Sequence, residues 1–341
     1  MAKRAFGKTV DQYSDVLGRA FQLAWKEKTL WVFGLLAALL NTGSIFTTVV
    51  HTMRRVEPAD TLSEILIAKL LYGVPWVLTY VRNLLSYDTT RVLLTVVVIV
   101  LFTLLFLFLT IASQQLLLSG LHHGEKRKKP LSFARALRSL DHLHVVRLFA
   151  INALSCIAIH LTLLLIAFPL SLFLGMNTLP EALIFLPVYL LLIPIAFTID
   201  ALAMFTLIRV VRYDEGLGAA FSGSVHMLRS HWLMAFEVGI LLYIVNLILP
   251  VFLLAIASVF GVFVSVMGYA TLATGTALLL AVLSVSALVV VILFFLASTG
   301  FLVTVNYAVW WMLFTKLERG SIVPALEYLF GGVLRFLKRL S

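Results

Sequence analysis

The sequence predicts an all-α fold: a polytopic integral membrane helical bundle of about six spans in three parallel repeats. Hydrophobic residues make up 62% of the 341 residues and charged residues only 12%, whereas soluble domains have about 25% charged residues. The 78 residues from Val238 to Thr315 contain no Asp, Glu, Lys or Arg. About 20 apolar residues cross the hydrocarbon of a bilayer, so this stretch alone crosses at least twice.

Apolar runs along the chain predict six spans within a single transmembrane domain, residues 1–341. The first run begins at Leu30, too far from the basic pair Lys3 and Arg4 for a cleavable signal peptide, and therefore indicates a retained first span. The six spans are expected at about 30–50, 92–119, 146–174, 182–208, 233–264 and 277–314.

The distribution of Lys and Arg predicts the orientation. The terminal segments and the connections after the second and fourth spans together contain twenty of these residues, and the three opposite connections contain five. Because basic residues collect on the cytoplasmic side, both termini are expected in the cytoplasm. The chain is expected to be a multi-pass protein of the cell membrane, in bacteria the inner membrane.

The segment 65–85 is the main ambiguity in the number of spans. It is apolar enough for a seventh span, but it contains Lys69, Pro75 and Arg82. A seventh span would move the basic run Lys126 to Lys129 to the far side if the amino terminus stayed inside. An amphipathic helix lying in the membrane interface is therefore the preferred interpretation.

A weak internal repeat is the most informative pattern in the sequence. Each unit combines one amphipathic helix with two spans, and an alanine followed by a large apolar residue lies about eleven residues before the first span. Since each unit crosses twice, the three units share one orientation and are parallel repeats. The units cover about 12–121, 132–208 and 216–314, and 322–340 forms a further C-terminal amphipathic helix. The marker pairs are Ala20 with Phe21, Ala136 with Leu137, and Ala220 with Phe221.

The stretch from Arg212 to Trp232, RYDEGLGAAFSGSVHMLRSHW, resembles a recurrent motif of one bacterial family. This family comprises the membrane domain of some glycerophosphodiester phosphodiesterases and its stand-alone relatives. The resemblance implies a six-helix membrane domain but no phosphodiesterase activity, which in the enzymes belongs to a separate soluble barrel with an HRG-like motif. None of the eight histidines here is followed by Arg-Gly, and the chain is not expected to be an enzyme.

Four charged residues in or beside the predicted spans form a candidate intramembrane cluster: Arg147, Asp200, Arg209 and Glu237. A carboxylate within a span costs about 2.5 kcal/mol or more on insertion scales, so Asp200 should face protein or water. One interpretation is a proton or cation site. The other is a structural ion-pair cluster, because pairing makes buried charge tolerable.

Other polar residues have two interpretations each. His160, Asn246 and Asn306 lie within spans and serve either helix packing or a polar pathway. The run Lys126, Arg127, Lys128 and Lys129 favours cytoplasmic placement and forms a candidate patch for anionic phospholipid headgroups. Neither His122, His123 and Glu125 nor His142 and His144 form a convincing ligand set, so no metal and no cofactor are expected.

The function expected from these patterns is a non-enzymatic membrane protein whose cytoplasmic interfacial helices serve lipid interaction, membrane organisation or partner binding. The alternative is a transporter of a small solute or lipid that uses the intramembrane carboxylates as coupling groups. The expected partners are the bilayer and anionic headgroups, and a protein partner or a second copy of the chain stays open. The net charge of +10 follows from cytoplasmic basic loops, so no nucleic acid is expected.

Overall fold

The structure, a computed structural model, describes residues 2–38, 89–126, 133–138, 140–162, 179–273 and 277–319. Within these ranges the regular structure is helical and contains no strand, which confirms the predicted all-α class. The predicted helices at 65–85 and 322–340 lie outside the described residues, as do 39–50 of the first predicted span and 163–174 of the third.

The helices of the described ranges are long, and four of them contain 35 residues or more. About 20 helical residues cover the hydrocarbon at a rise of about 1.5 Å per residue, whereas α3, α6, α7 and α8 contain 38, 35, 57 and 42 residues. In chain order the helices are α1 (Ala2–Lys26), α2 (Thr29–Ala37), α3 (Thr89–Lys126), α4 (Phe133–Arg138), α5 (His142–Thr162), α6 (Leu179–Tyr213), α7 (Leu217–Ala273) and α8 (Ala277–Glu318).

Five helical segments within the described ranges are long and apolar enough to cross a membrane, as expected for a multi-pass membrane protein. Each overlaps one of the last five predicted spans, and the first predicted span is described only as far as residue 38. The segments are Leu93–Glu125, His142–Thr162, Pro194–Tyr213, Leu217–Asn246 and Val285–Glu318.

Two compact units make up the chain. Unit 1 contains residues 1–38, 116–139 and 231–341, and unit 2 contains residues 39–115 and 140–230. In unit 1, α8 packs against α1 and α2, and in unit 2, α5 packs against α6. The predicted third amphipathic helix and the fifth span form the single helix α7, which is interrupted at His231 by non-helical dihedral angles, φ −128° and ψ 28°.

Two glycines allow close contact between α2 and α8 in unit 1. A β-carbon on Gly34 would lie 2.5 Å from the carbonyl oxygen of Gly300, and one on Gly300 would collide with the carbonyl oxygen of Trp31. The hydroxyl of buried Thr304 donates to the carbonyls of Gly300, at 2.7 Å, and Leu30, at 3.1 Å. Small residues bring the two backbones together here, as in many membrane helix pairs.

Exposure changes sharply along α8. Most described side chains from Val282 to Ala297 are exposed, whereas most from Gly300 to Leu317 are buried. Helix α3 shows the same change, since Leu93–Leu109 is largely exposed and Thr110–Leu118 is buried throughout. Helices α3 and α8 therefore each combine an apolar exposed part with a part buried against protein.

Candidate functional site

The connection between α6 and α7 contains two adjacent acidic residues, each paired with a different arginine. Asp214 accepts a 2.6 Å hydrogen bond from Nη1 of Arg147, near the start of α5. Glu215 accepts two hydrogen bonds of 2.8 Å from Nε and Nη2 of Arg209, near the end of α6. The second pair is bidentate, the geometry that suits a guanidinium and a carboxylate. The two pairs tie the connection to α5 and α6.

The backbone of this connection turns sharply at Asp214, which has a φ of 54°. Few residues other than glycine, asparagine and aspartate adopt this left-handed conformation readily. Helix α7 begins three residues later, and the N–H of Ala220 donates to the carbonyl of Gly216 at 2.9 Å. The DEG sequence after Tyr213 thus supplies both the turn and the two carboxylates.

His144 joins the same connection to the start of α5. Its Nδ1 lies 2.8 Å from a carboxylate oxygen of Asp141, and its Nε2 lies 3.3 Å from Oδ1 of Asp214. Asp141 also accepts a 3.1 Å hydrogen bond from the N–H of Leu143, as an N-terminal helix cap does. This N–H and the nearby His144 lower the pKa of the Asp141 carboxyl below its ordinary value.

The ion-pair cluster of unit 2 therefore consists of Arg147, Arg209, Asp141, Asp214, Glu215 and His144. Two guanidinium groups and the imidazole of His144 face three carboxylates. Every carboxylate has a described partner. This arrangement suits a clamp that holds the α6–α7 connection in place, because both guanidinium groups are paired with its carboxylates.

Two of the four residues of the predicted intramembrane cluster belong to the ion-pair cluster of unit 2. Arg147 and Arg209 pair with Asp214 and Glu215 of the connection. Glu237 is half-buried in α7 beyond the break at His231. The two arginines thus have acidic partners that the sequence reasoning missed. The signal was available, because the DEG motif directly follows the span that contains Arg209.

Asp200 has a different environment from the paired carboxylates. It lies inside the candidate span Pro194–Tyr213 and is half-buried. Among the described residues, no hydrogen bond or ion pair reaches its carboxylate. Such a group in a span is costly, and in this respect Asp200 differs from Arg147 and Arg209, whose charges are paired.

The three uncharged polar candidates occupy dissimilar positions. Nδ1 of exposed His160 lies 2.7 Å from the carbonyl of Cys156, one helical turn earlier. Asn246 is exposed on α7, and Asn306 is half-buried on α8.

Buried amides of α3 are polar groups that sequence reasoning missed. Gln114 and Gln115 are 1% and 2% exposed, and the amide of Asn152 on α5 donates a 2.7 Å hydrogen bond to Oε1 of Gln114. A buried amide needs such a partner. Two consecutive glutamines inside an apolar run were a sequence signal for this helix contact.

The histidines at the end of α3 face different neighbours in unit 1. The indole Nε1 of Trp311 donates to Glu125 at 2.9 Å, and the ring of His122 packs edge-on against Trp311 with centroids 5.5 Å apart. Nδ1 of His123 lies 2.8 Å from the carbonyl of Ser119. In the described ranges no three His, Cys, Asp or Glu side chains are grouped to hold a metal ion.

The predicted anionic-lipid patch lies almost entirely outside the described residues. Lys126 is the last residue of α3, and Arg127, Lys128 and Lys129 are not in the described ranges. The patch therefore stays a prediction from the sequence.

The marker pairs of the three predicted repeats have the same pattern of burial. The alanine of each pair is at most 1% exposed, while the large apolar residue that follows it is 44 to 50% exposed. A helix turns by about 100° per residue, so each helix directs the alanine into the protein and its neighbour outwards. The buried residues are Ala20, Ala136 and Ala220, and the exposed residues are Phe21, Leu137 and Phe221.

Comparison with known proteins gives no further guide to this arrangement. The chain matches no known family, no curated protein and no solved structure.

Proposed function

We propose that this protein is a non-enzymatic, multi-pass protein of the cell membrane whose cytoplasmic helices insert apolar side chains into the inner leaflet. Lipid interaction and membrane organisation are then its primary role. Both termini lie in the cytoplasm, and the three units of amphipathic helix plus spans are parallel repeats. Membership of the membrane-domain family named above is part of the same proposal.

The observation that carries the proposal is the shared burial of the three marker pairs. The side chains of Phe21, Leu137 and Phe221 are exposed on the protein surface at equivalent positions of the predicted repeats. Exposed aromatic and aliphatic residues on a helix with a polar face are typical of interfacial membrane helices. Basic residues on the same helices, such as Lys26, Arg138 and Arg229, favour the anionic cytoplasmic leaflet.

Depth-dependent fluorescence quenching tests the insertion of these side chains. Single cysteines at positions 21, 137 and 221, in a Cys156→Ser background, are labelled with a nitrobenzoxadiazole fluorophore and the protein is placed in vesicles containing doxyl-labelled lipid. We expect strong quenching at all three positions. The matched controls are the adjacent exposed polar positions Gln22, Arg138 and Ser222, where iodide in the water should quench more than the doxyl lipid. Equal lipid quenching at target and control positions would contradict the proposal.

A transporter is the second candidate function, and the environment of Asp200 favours it. A carboxylate in a candidate span that lacks a described partner resembles the coupling groups of proton-driven carriers. In vesicles, Asp200→Asn should abolish proton-coupled solute uptake while leaving the protein folded. Uptake unchanged by this substitution would remove the reason for this candidate.

A further inference from the structure

We propose that Trp25, Lys26 and Lys28 form a binding site for the headgroup of an anionic phospholipid, at the point where α1 meets α2. These three residues differ from those of the predicted patch at Lys126 to Lys129, and Gly124, two residues before Lys126, packs close to Leu23 and Glu27 of α1. The inference deepens the proposed function, on which it depends, by naming one lipid class and one place on the molecule.

The first observation is an aromatic cluster at this junction. The rings of Phe21, Trp25 and Trp31 each lie 5.1 to 5.7 Å from the ring of Phe301 on α8. Trp25 is 55% exposed, although it contacts the rings of both Phe21 and Trp31. Tryptophans with one face on protein and one face free are typical of the membrane–water interface.

The second observation is the position of this cluster along α8. About 20 residues from the start of α8 at Ala277 cross the hydrocarbon, which brings the crossing to the region just before Gly300. The change from exposed to buried side chains occurs at the same place. Although the candidate span extends from Val285 to Glu318, this length and this change in exposure together lead us to place the inner boundary of the hydrocarbon near Phe301 and the aromatic cluster in the headgroup layer.

The break between α1 and α2 places two exposed lysines in this layer. The indole Nε1 of Trp31 donates a 2.7 Å hydrogen bond to the carbonyl of Ala24, so the end of α1 is held against the start of α2. The side chains of Lys26 and Lys28 are exposed on either side of buried Glu27. Two exposed ammonium groups beside an exposed indole at headgroup depth complement a phosphate and its acyl chains.

Retention of phosphatidylglycerol tests the site. The full-length protein is reconstituted in vesicles of phosphatidylcholine and phosphatidylglycerol, and native mass spectrometry gives the ratio of the two lipids that stay bound. One basic residue near a membrane surface contributes about a fivefold preference for anionic lipid. Lys26→Gln and Lys28→Gln should each lower the ratio by about this factor, whereas Lys26→Arg and Lys28→Arg should preserve it.

Arg19→Gln is the matched control, because it removes one exposed positive charge from the same helix. Arg19 pairs with Asp15 at 2.6 Å, and Asp15 also contacts Lys316, fifteen residues beyond Phe301 on α8. Arg19 lies seven residues before Lys26 on α1, about 10 Å farther along the helix, and its charge is already paired with Asp15. The control should therefore lower the lipid ratio much less than Lys26→Gln or Lys28→Gln.

Three results would overturn the inference. The first is an equal effect of Arg19→Gln and Lys28→Gln on the lipid ratio. The second is an unchanged ratio in the Lys26→Gln, Lys28→Gln double variant. The third is loss of the lipid preference when inorganic phosphate is added, because the lysines would then bind free phosphate. Quenching by doxyl lipid of a fluorophore at position 21 would show that the side chain still inserts into the membrane. The proposed function would then stand even if the lipid site were disproved.

Discussion

The guanidinium group of Arg209 lies directly over the α-carbon of Gly223. A β-carbon at position 223 would lie 2.6 Å from Nη2 and 2.7 Å from Nε of this arginine. An alanine at 223 would therefore require the end of the Arg209 side chain to shift. One small residue of α7 thus gives Arg209 the room for its bidentate pair with Glu215.

Gly223→Ala is expected to destabilise the protein by about 1 kcal/mol, the lower end of the cost of overpacking, because the end of the Arg209 side chain can shift. The added methyl would displace Arg209 and leave Glu215 without this partner. Gly218→Ala is the matched control on the same helix, because a β-carbon there meets nothing within 4 Å. Alanine has the higher helix propensity, so the control should be neutral or stabilising by less than about 1 kcal/mol. Thermal unfolding in detergent measures the stability of both variants. Equal melting temperatures of Gly223→Ala and Gly218→Ala would contradict the described contact between Gly223 and Arg209.

The close contact of α2 and α8 should tolerate an added methyl group less well than the contact of Gly223 with Arg209. The groups that a β-carbon at Gly34 or Gly300 would meet include backbone carbonyl oxygens, which cannot rotate away as an arginine side chain can. Gly34→Ala and Gly300→Ala should each cost about 3 kcal/mol or more, at the upper end for overpacking. The control is Gly261→Ala on α7, where the space is open. If Gly34→Ala or Gly300→Ala lowered the stability by less than Gly223→Ala does, this ranking would be contradicted.

Substitutions at Asp214 should separate backbone strain from ion pairing. Asp214→Ala loses the ion pair with Arg147 and keeps an unfavourable left-handed residue, whereas Asp214→Gly loses the same pair and relieves the backbone. The glycine variant should therefore be more stable than the alanine variant by about 1 kcal/mol. Paired thermal melts measure the difference, and the reverse order would show that the turn differs from the one described.

Asp15 should stabilise unit 1 at neutral pH and lose this effect in acid. Hydrogen bonds from Lys316 and then Arg19 lower the pKa of its carboxyl below the ordinary value. A lowered pKa gives stabilisation that is complete above the ordinary pKa and disappears as the pH falls through the folded-state pKa. The pair is partly exposed, so the effect at pH 7 should not exceed about 1 kcal/mol.

The measurement for Asp15 is the difference in melting temperature between the wild type and Asp15→Asn as a function of pH. The difference should be positive at pH 7 and approach zero well below about pH 3.9, the ordinary pKa of aspartate. In a Lys316→Gln background it should shrink at every pH. A difference that grows in acid would exclude the stated cause.

The orientation predicts opposite accessibility for two exposed positions. In a Cys156→Ser background, a cysteine at Tyr269, which is 81% exposed in α7, should react with a membrane-impermeant maleimide added to intact cells. A cysteine at Gly18, exposed on α1, should react only after the membrane is opened. Labelling of position 18 in intact cells would place the amino terminus outside.

The sequence by itself was sufficient for the class of protein and for the approximate positions of its helices. Transfer of apolar residues into lipid is nearly additive along a chain, so a run such as Val238 to Thr315 indicates membrane helices without any knowledge of contacts. The marker pairs were also visible in the sequence as members of apolar stripes, but only the structure showed that Ala220 is buried and Phe221 exposed.

Only the tertiary structure decided which groups meet. Arg147 pairs with Asp214, 67 positions away, and Gly34 meets Gly300 across two helices. Such contacts depend on how far each helix extends and where it crosses its neighbour, and hydropathy contains no information about either. For this reason the charged residues were recognised individually from the sequence, while their partners Asp214 and Glu215 emerged only when α5, α6 and the following connection were seen together.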